Sequence, residues 1–228
     1  METNVVRALY KKNIYVGIFI LLILAAMVSS GDYIQSNQEY KKCNNLFFSG
    51  GSGTASDPYQ ISNVTELQNV RENLGAHYML INDIDANETK DWDGGKGFDS
   101  LGEYPEFPNF GKSFTGSFNG NDYKIINLVI NRSDSDYVGL FGHIHANSVI
   151  QDVLLCNINI YGNNYVGGLI GYNDGDMNNC FSTGKTKGNC NVGGLSGLNN
   201  GFISNVSSSC NVSGHENIGG LIGENNGI

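Results

Sequence analysis

The histidines are the first residues to consider for chemistry, because imidazole binds metals and transfers protons near neutral pH. Zinc peptidases carry the motif H-E-x-x-H, in which two histidines one helical turn apart bind the metal. His215 and Glu216 begin this motif, but Gly219 stands where the second histidine is required. His143 and His145 are two residues apart, so in a strand both would project from one face. Neither pair has an evident third ligand, and we predict no metal site and no cofactor.

Aspartate pairs are the second group of candidates, since glycosidases use two carboxyl groups at a fixed separation and Ca²⁺ binds carboxylate oxygens. Asp174 and Asp176 flank a glycine, but one repeat later the equivalent residues are Asn200 and Phe202. We therefore expect no stack of carboxylates and no catalytic residues. Three further pairs lack the spacing of known calcium loops and are expected to be solvated: Asp83/Asp85, Asp91/Asp93 and Asp134/Asp136.

The composition excludes several classes of protein. The 228 residues include 22 acidic and 13 basic ones, which gives a net charge of −9. A chain this acidic and without a basic cluster is a poor partner for nucleic acid, whose phosphates require Lys and Arg. Glycine is abundant at 31 residues, and because glycine weakens helix interiors, this disfavours a mostly helical fold.

The first 30 residues have the organisation of an export signal. Basic residues precede an apolar run, residues 14–28, and small residues follow it. This order is typical of a secretory signal peptide cleaved after Ser30. The run is also nearly long enough for an uncleaved membrane anchor, so residues 1–30 are one or the other. Either alternative predicts an extracellular or cell-surface location, with residues 31–49 as a tether.

A repeat organises the C-terminal half of the chain. Its marker leucines are Leu140, Leu169, Leu195 and Leu221, at spacings of 29, 26 and 26 residues. Each copy has short runs rich in Val, Ile, Ser, Thr and Asn, broken by glycine. Such a unit cannot bury a core alone, but strands of successive copies can stack about 4.8 Å apart over one continuous apolar column. We predict an all-β fold, a parallel β-helix, with residues 137–228 forming the repeats and the last repeat incomplete.

Triplets of the type Asn-Asp-Gly or Asn-Asn-Gly recur in these copies and end at Gly175, Gly201 and Gly227. They are typical of tight turns. We expect positive φ angles in these triplets, because Asn, Asp and Gly tolerate that conformation.

The N-terminal half, residues 50–136, is expected to form a cap and the first coils. Asn63 and Glu66 resemble a capping box, and apolar residues then recur on one helical face up to residue 74. This pattern predicts a short helix over residues 64–74. It would cover the exposed end of the apolar column, as a solenoid requires.

These residues resemble a known family. The stretches V-G-G-L-I-G-x-N-x-G and N-C-F-S-T-G are similar to the GLUG repeat of large bacterial and archaeal surface proteins. The stretch from Gly53, G-T-A-S-D-P-Y-Q-I-S-N, with F-T-G-S-F-N-G-N further on, resembles the segment that commonly precedes such repeats. The resemblance covers residues 50–228 and implies a right-handed β-helix in an exported, often adhesin-like protein. Some family members also carry a metallopeptidase domain that cleaves immunoglobulin.

We therefore expect an exported, non-enzymatic cell-surface module with an adhesive or structural role. The alternative is the non-catalytic front part of a larger secreted enzyme, a metallopeptidase or a polysaccharide-degrading one, with its active domain beyond residue 228. Glycans or surface proteins are the expected partners, nucleic acid is not, and the membrane is contacted only through residues 1–30. Ile228 falls about halfway round a coil, which predicts either a longer chain or end-to-end self-association at this open coil.

Overall fold

A computed structural model describes residues 47–105 and 112–228, which consist mostly of short strands. The N-terminal strands are β1 (Tyr59–Ile61), β2 (His77–Leu80), β3 (Ile84–Asp85), β4 (Ser117–Asn119), β5 (Lys124–Ile126), β6 (Val129–Asn131), β7 (Phe141–Ile144), β8 (Val149–Gln151) and β9 (Leu154–Tyr161). The C-terminal strands are β10 (Ile170–Asn173), β11 (Asp176–Asn178), β12 (Phe181–Lys187), β13 (Cys190–Gly193), β14 (Ser196–Asn199), β15 (Phe202–Ser204), β16 (Ser207–Ser213), β17 (Glu216–Gly219) and β18 (Ile222–Asn225). Helix α1 (Val64–Asn69) and the 3₁₀ segments Val70–Asn73 and Asn87–Gly95 complete the elements.

The strands stack into parallel sheets that run along the axis of a solenoid. The first sheet has the order β1-β2-β4-β8-β11-β15, and the second has the order β7-β10-β14-β18. The third has the order β3-β5-β9-β12-β16 with β6 also beside β9, and β13 pairs with β17. Each strand pairs in parallel with its counterpart one coil away, for example β10 with β7 and with β14. The predicted parallel β-helix is confirmed.

A column of apolar side chains fills the solenoid, because equivalent inward positions fall in register. In the first sheet Tyr78, Phe118, Ile150 and Met177 are paired in successive coils, and each is at most 1% exposed. The marker leucines occupy another such column, where Leu140, Leu169 and Leu195 are fully buried. Burying one such side chain contributes about 1.5–3 kcal/mol, so the column supplies most of the stabilisation that a single coil lacks.

The predicted helix near the N-terminus is present and begins as expected. The Asn63 side chain accepts a hydrogen bond from the backbone N–H of Glu66 (2.9 Å). The Glu66 carboxylate returns to the N–H of Ser62 (2.6 Å), one residue before the position that a standard capping box uses. The α-helical part is shorter than predicted, since it ends at Asn69 and continues as a 3₁₀ segment.

The prediction of positive φ in the Asn-Asp-Gly and Asn-Asn-Gly triplets is wrong. None of the nine triplet residues is among the residues with positive φ, which include Asn179, Asn191 and their equivalents one coil later. The triplets require glycine for a different reason. A Cβ on Gly201 would lie 1.9 Å from the carbonyl oxygen of Gly175, and one on Gly227 would lie 2.1 Å from that of Gly201. The glycines thus allow backbones of successive coils to approach.

The compact unit starts at Phe47, three residues before the Gly/Ser-rich stretch that begins at Gly50. Phe48 is buried and stacks on Tyr59, with 4.6 Å between ring centroids.

The predicted signal or anchor segment, residues 1–30, lies outside the described residues. Among the described ones, no helix is long and apolar enough to cross a bilayer.

Candidate functional site

Polar side chains stack along the solenoid axis and form hydrogen-bonded ladders. Asn173, Asn199 and Asn225 end β10, β14 and β18 and lie in register. Asn173 donates to Oδ1 of Asn199 (2.5 Å), and Asn199 donates to Oδ1 of Asn225 (2.7 Å). An amide carries both a donor and an acceptor, so the same residue in consecutive coils can bond to its own equivalents. The ladder begins at Asn173, because the preceding coil has Ile144 at this position.

A second ladder, which we call the histidine ladder, contains two of the residues singled out in the sequence. The hydroxyl oxygen of Ser113 lies 2.6 Å from His143 Nδ1, and His143 Nε2 lies 3.0 Å from Asp174 Oδ2. The other carboxylate oxygen of Asp174 accepts from Asn200 Nδ2 at 3.0 Å, and Asn226 donates to Asn200 at 3.3 Å. The histidine ladder thus runs through these five residues.

The burial of His143 and its hydrogen bond to the Asp174 carboxylate determine which imidazole nitrogen carries the proton. Only 3% of the His143 side chain is exposed, and this burial lowers the histidine pKa more than the hydrogen bond to Asp174 raises it. The imidazole is therefore neutral at pH 7. A carboxylate only accepts hydrogen bonds, so Nε2 carries the proton and Nδ1 accepts from the Ser113 hydroxyl.

Four tyrosines cluster beside the histidine, and two of them, Tyr104 and Tyr172, contact its ring. Tyr104, Tyr137 and Tyr165 are stacked with nearly parallel rings, at centroid separations of 4.5 and 4.9 Å. The Tyr172 ring packs edge-on against this stack and against His143. Such aromatic pairs contribute about 0.5–1.5 kcal/mol each beyond the area that they bury.

Two of these tyrosines occupy an unusual backbone conformation. Tyr137 and Tyr165 have φ angles of 58° and 55°, which is rare for a bulky residue. The next coils have Asn191 and Asn217 in the same conformation, and asparagine tolerates it well. In the two earlier coils the residues in this conformation are tyrosines whose rings stack on each other.

Ser113, His143 and Asp174 are the residue types of a hydrolytic triad, so the surroundings of Ser113 decide what they can do. A triad also needs backbone N–H groups directed at the developing oxyanion. The N–H of Phe114 donates to the His143 carbonyl (3.0 Å), and those of Thr115 and Gly116 donate to the Leu74 carbonyl (2.8 and 3.1 Å). These N–H groups join coils and are not directed at a substrate. The arrangement links coils and lacks the oxyanion donors of a hydrolase at these positions.

Comparison with known proteins identifies the repeat. Residues 162–186 match the family described as "The GLUG motif". This chain carries a GLUG motif. The match spans β10, β11 and β12 up to Thr186, which is one coil of the solenoid.

Two relatives share the sequence over more than half of this chain. One is "Halomucin" of Haloquadratum walsbyi, which is 35% identical over 143 residues, or 60% of this chain. The other is "Putative Gly-rich membrane protein" of Evansella cellulosilytica, which is 38% identical over 137 residues, or 58% of this chain. The aligned stretches span 2% and 15% of the two relatives' lengths.

A solved structure shares the fold. It is the crystal structure of a "putative immunoglobulin A1 protease from Bacteroides ovatus", which superimposes with a TM-score of 0.54 at 20% sequence identity. The match covers 78% of this chain and 65% of that one. At this identity the similarity shows the β-helix fold alone.

The GLUG coils place the other candidate residues apart from the histidine ladder. His145 follows the end of β7 and is exposed, so it does not share a strand face with His143. Asp176 pairs with Val149 and Phe202 in the neighbouring coils, so its carboxylate does not stack on another. His215 is exposed, and Glu216 is the first residue of β17. Within residues 47–105 and 112–228, no group of three His, Cys, Asp or Glu side chains could hold a metal ion.

The six remaining aspartates are exposed, as expected, and four of them also bond to other segments. Asp83 accepts from the N–H of Lys124 (2.9 Å), and Asp85 accepts from Nδ2 of Asn127 (2.9 Å). Asp93 forms an ion pair with Arg132 (3.3 Å), and Asp136 accepts from Asn163 Nδ2 (2.8 Å). In each case the carboxylate joins segments that are far apart in the sequence.

Sequence reasoning missed Ser113 and Tyr104, which lie in irregular segments outside the repeat. Neither stands in a motif, and only the fold brings them to His143. Tyr137 and Tyr165 did carry a signal. They occupy the position that Asn191 and Asn217 hold in later copies, and that substitution marks two coils as different from the rest.

Proposed function

We propose that this chain is an exported β-helix module of a cell surface, with an adhesive or structural role and no catalytic one. The observation that carries the proposal is how the solenoid uses its polar side chains. In the ladders described above, polar side chains hydrogen-bond to equivalent residues of neighbouring coils. On the third sheet, the outward positions present amides, hydroxyls and lysines to solvent.

The relatives support a surface location. One is named "Halomucin" and the other a Gly-rich membrane protein, and both share the sequence over more than half of this chain. Location outside the cell also agrees with the export pattern of residues 1–30, which would be cleaved or would remain as an anchor. Detection of the chain on intact cells, by antibody labelling before and after surface proteolysis, tests this. Signal only after lysis contradicts a surface module.

The alternative is the non-catalytic front part of a larger secreted enzyme. The shared fold with the Bacteroides ovatus protein favours it, because that protein is named as a protease. The purified 228-residue chain should be incubated with immunoglobulin and with a panel of polysaccharides. Both interpretations predict no cleavage, because neither places a catalytic site within these 228 residues. Cleavage that Asp174→Asn or Asp176→Asn abolishes would overturn a non-catalytic role.

Self-association at the last coil is part of the proposal. Strands β15, β16, β17 and β18 each lie at the edge of their sheet, and Phe202 and Ile218 are 47% and 41% exposed. Unpaired strand edges pair readily with another strand, and the occupant that fits is another GLUG coil, either the next coil of a longer chain or a coil of a second copy. Light scattering over a hundredfold concentration range should show dimers that Ile218→Lys removes. A monomer at every concentration contradicts this contact.

A further inference from the structure

One outward face of the solenoid gathers positive charge in an acidic protein. After residue 163 the only lysines are Lys185 and Lys187, and no arginine follows. Both lie on β12, where they are exposed and flank the buried Thr186. Because alternate residues of a strand project to the same side, the two ammonium groups share one face of the third sheet.

The strands on either side complete a groove around these lysines. In register with Lys185 lie Asn159 on β9 and Asn211 on β16, and in register with Lys187 lies Tyr161 on β9. The 3₁₀ segment Asn87–Gly95 forms a wall of the groove and contributes Lys90. The groove has a volume of about 520 Å³.

The three lysines are available to a ligand. Among the part of the chain that the structure describes, no carboxylate forms an ion pair with Lys90, Lys185 or Lys187. The Lys187 ammonium lies 4.7 Å from the centroid of the Tyr161 ring, and this tyrosine is 36% exposed. In a chain of net charge −9, three unpaired cations beside an exposed ring form a local site for an anion with an apolar face.

We propose that this groove, the lysine groove, binds an acidic glycan, and the inference rests on the proposed adhesive role. The ammonium groups of Lys185 and Lys187 would contact carboxylate or sulfate groups of the glycan. The Tyr161 ring would pack against the C–H face of a sugar, and the amides of Asn159 and Asn211 would bond its hydroxyls. Charge complementarity selects an acidic glycan over a neutral one.

Binding should be measured by calorimetry on the 228-residue chain at low ionic strength, with polygalacturonate as the carboxylate probe and heparin as the sulfate probe. Poly-glutamate supplies carboxylates without sugar rings, and duplex DNA supplies phosphates. We expect one or both glycans to bind at least tenfold more tightly than poly-glutamate and DNA. Which glycan binds more tightly identifies the anionic group. Equal binding of all four polyanions would overturn glycan recognition.

Two variants and one control assign the binding to the lysine groove. The double variant Lys185→Gln/Lys187→Gln should weaken glycan binding at least tenfold, and Tyr161→Ala should weaken it severalfold with little effect on poly-glutamate. Lys124→Gln is the matched control, because Lys124 is also an exposed lysine of the third sheet but lies outside the groove. Unchanged glycan binding by the double variant would overturn the site. The adhesive role would then stand if the chain still bound cells, and fall if it bound neither cells nor glycans.

Discussion

His143 and Asp174 lie in successive coils and are joined by a hydrogen bond of 3.0 Å between Nε2 and Oδ2. Residues at these positions could also build an acid–base centre, but here the bond is one step in a ladder that begins at Ser113 and continues through Asn200. The pair is therefore a link between coils, and its loss should be visible first in stability.

Replacing His143 with alanine should destabilise the solenoid. The substitution leaves a cavity in a buried site and removes hydrogen-bond partners from Ser113 and Asp174. We expect the free energy of unfolding in urea to fall by about 2–4 kcal/mol. His145→Ala, at an exposed position two residues away, is the control and should change it by less than about 0.5 kcal/mol. Equal effects of the two variants would contradict a structural role for the histidine ladder.

The same histidine makes stability depend on pH. Burial lowers the pKa of folded His143, so below the ordinary histidine value of about 6.5 the unfolded chain binds more protons there than the folded chain does. Its contribution is fully present above that pH and is lost as the pH falls toward the folded pKa. We expect the free energy of unfolding to decrease between about pH 7 and pH 5, by at most about 1.4 kcal/mol per pH unit. His143→Gln should flatten this dependence, and an unchanged slope would rule out His143 as its source.

Neighbouring asparagines offer a test of the ladders themselves. Asn199 is fully buried and bonds to Asn173 and Asn225, whereas Asn200 is exposed and bonds to Asp174 and the Tyr172 hydroxyl. Asn199→Ala leaves the buried amide of Asn173 without its acceptor and should cost about 1–3 kcal/mol. Asn200→Ala leaves groups that water can reach and should cost about 1 kcal/mol or less. Urea unfolding of both variants measures the difference, and an equal cost would show that the buried ladder contributes no more than the exposed one.

The sequence predicts which positions the repeat stacks, but it does not predict which atoms of the stacked coils then come into close contact. The column of Leu140, Leu169 and Leu195 was predictable, because the repeat places equivalent residues one above another. The role of Gly201 was not, since its close contact is with the carbonyl of Gly175 in the previous coil, and a turn triplet suggests local geometry instead. Ser113 lies outside the repeat, so no periodicity connects it with His143.

Gly201 gives a sharp test of that close contact. An added Cβ would lie 1.9 Å from the backbone oxygen of Gly175, and a backbone atom cannot swing aside as a flexible side chain does. Gly201→Ala should therefore cost about 3 kcal/mol or more through overpacking. Gly220→Ala is the control, because a Cβ at Gly220 meets nothing within 4 Å. The midpoints of thermal unfolding of the two variants provide the comparison, and a tolerated Gly201→Ala would show that the coils can separate locally.

Ser113 provides the final test, because its hydroxyl is hydrogen-bonded to a histidine, as that of a catalytic serine is. The hydroxyl donates to a neutral imidazole, which favours reactivity, but the N–H groups of Phe114, Thr115 and Gly116 are bonded to carbonyls and cannot stabilise an oxyanion. We expect a fluorophosphonate probe to leave Ser113 unlabelled in the folded chain, as judged by intact mass. Labelling that Ser113→Ala and His143→Gln both abolish would show that the three residues act as a hydrolytic centre. That result would also move the proposed function from a surface module to an enzyme.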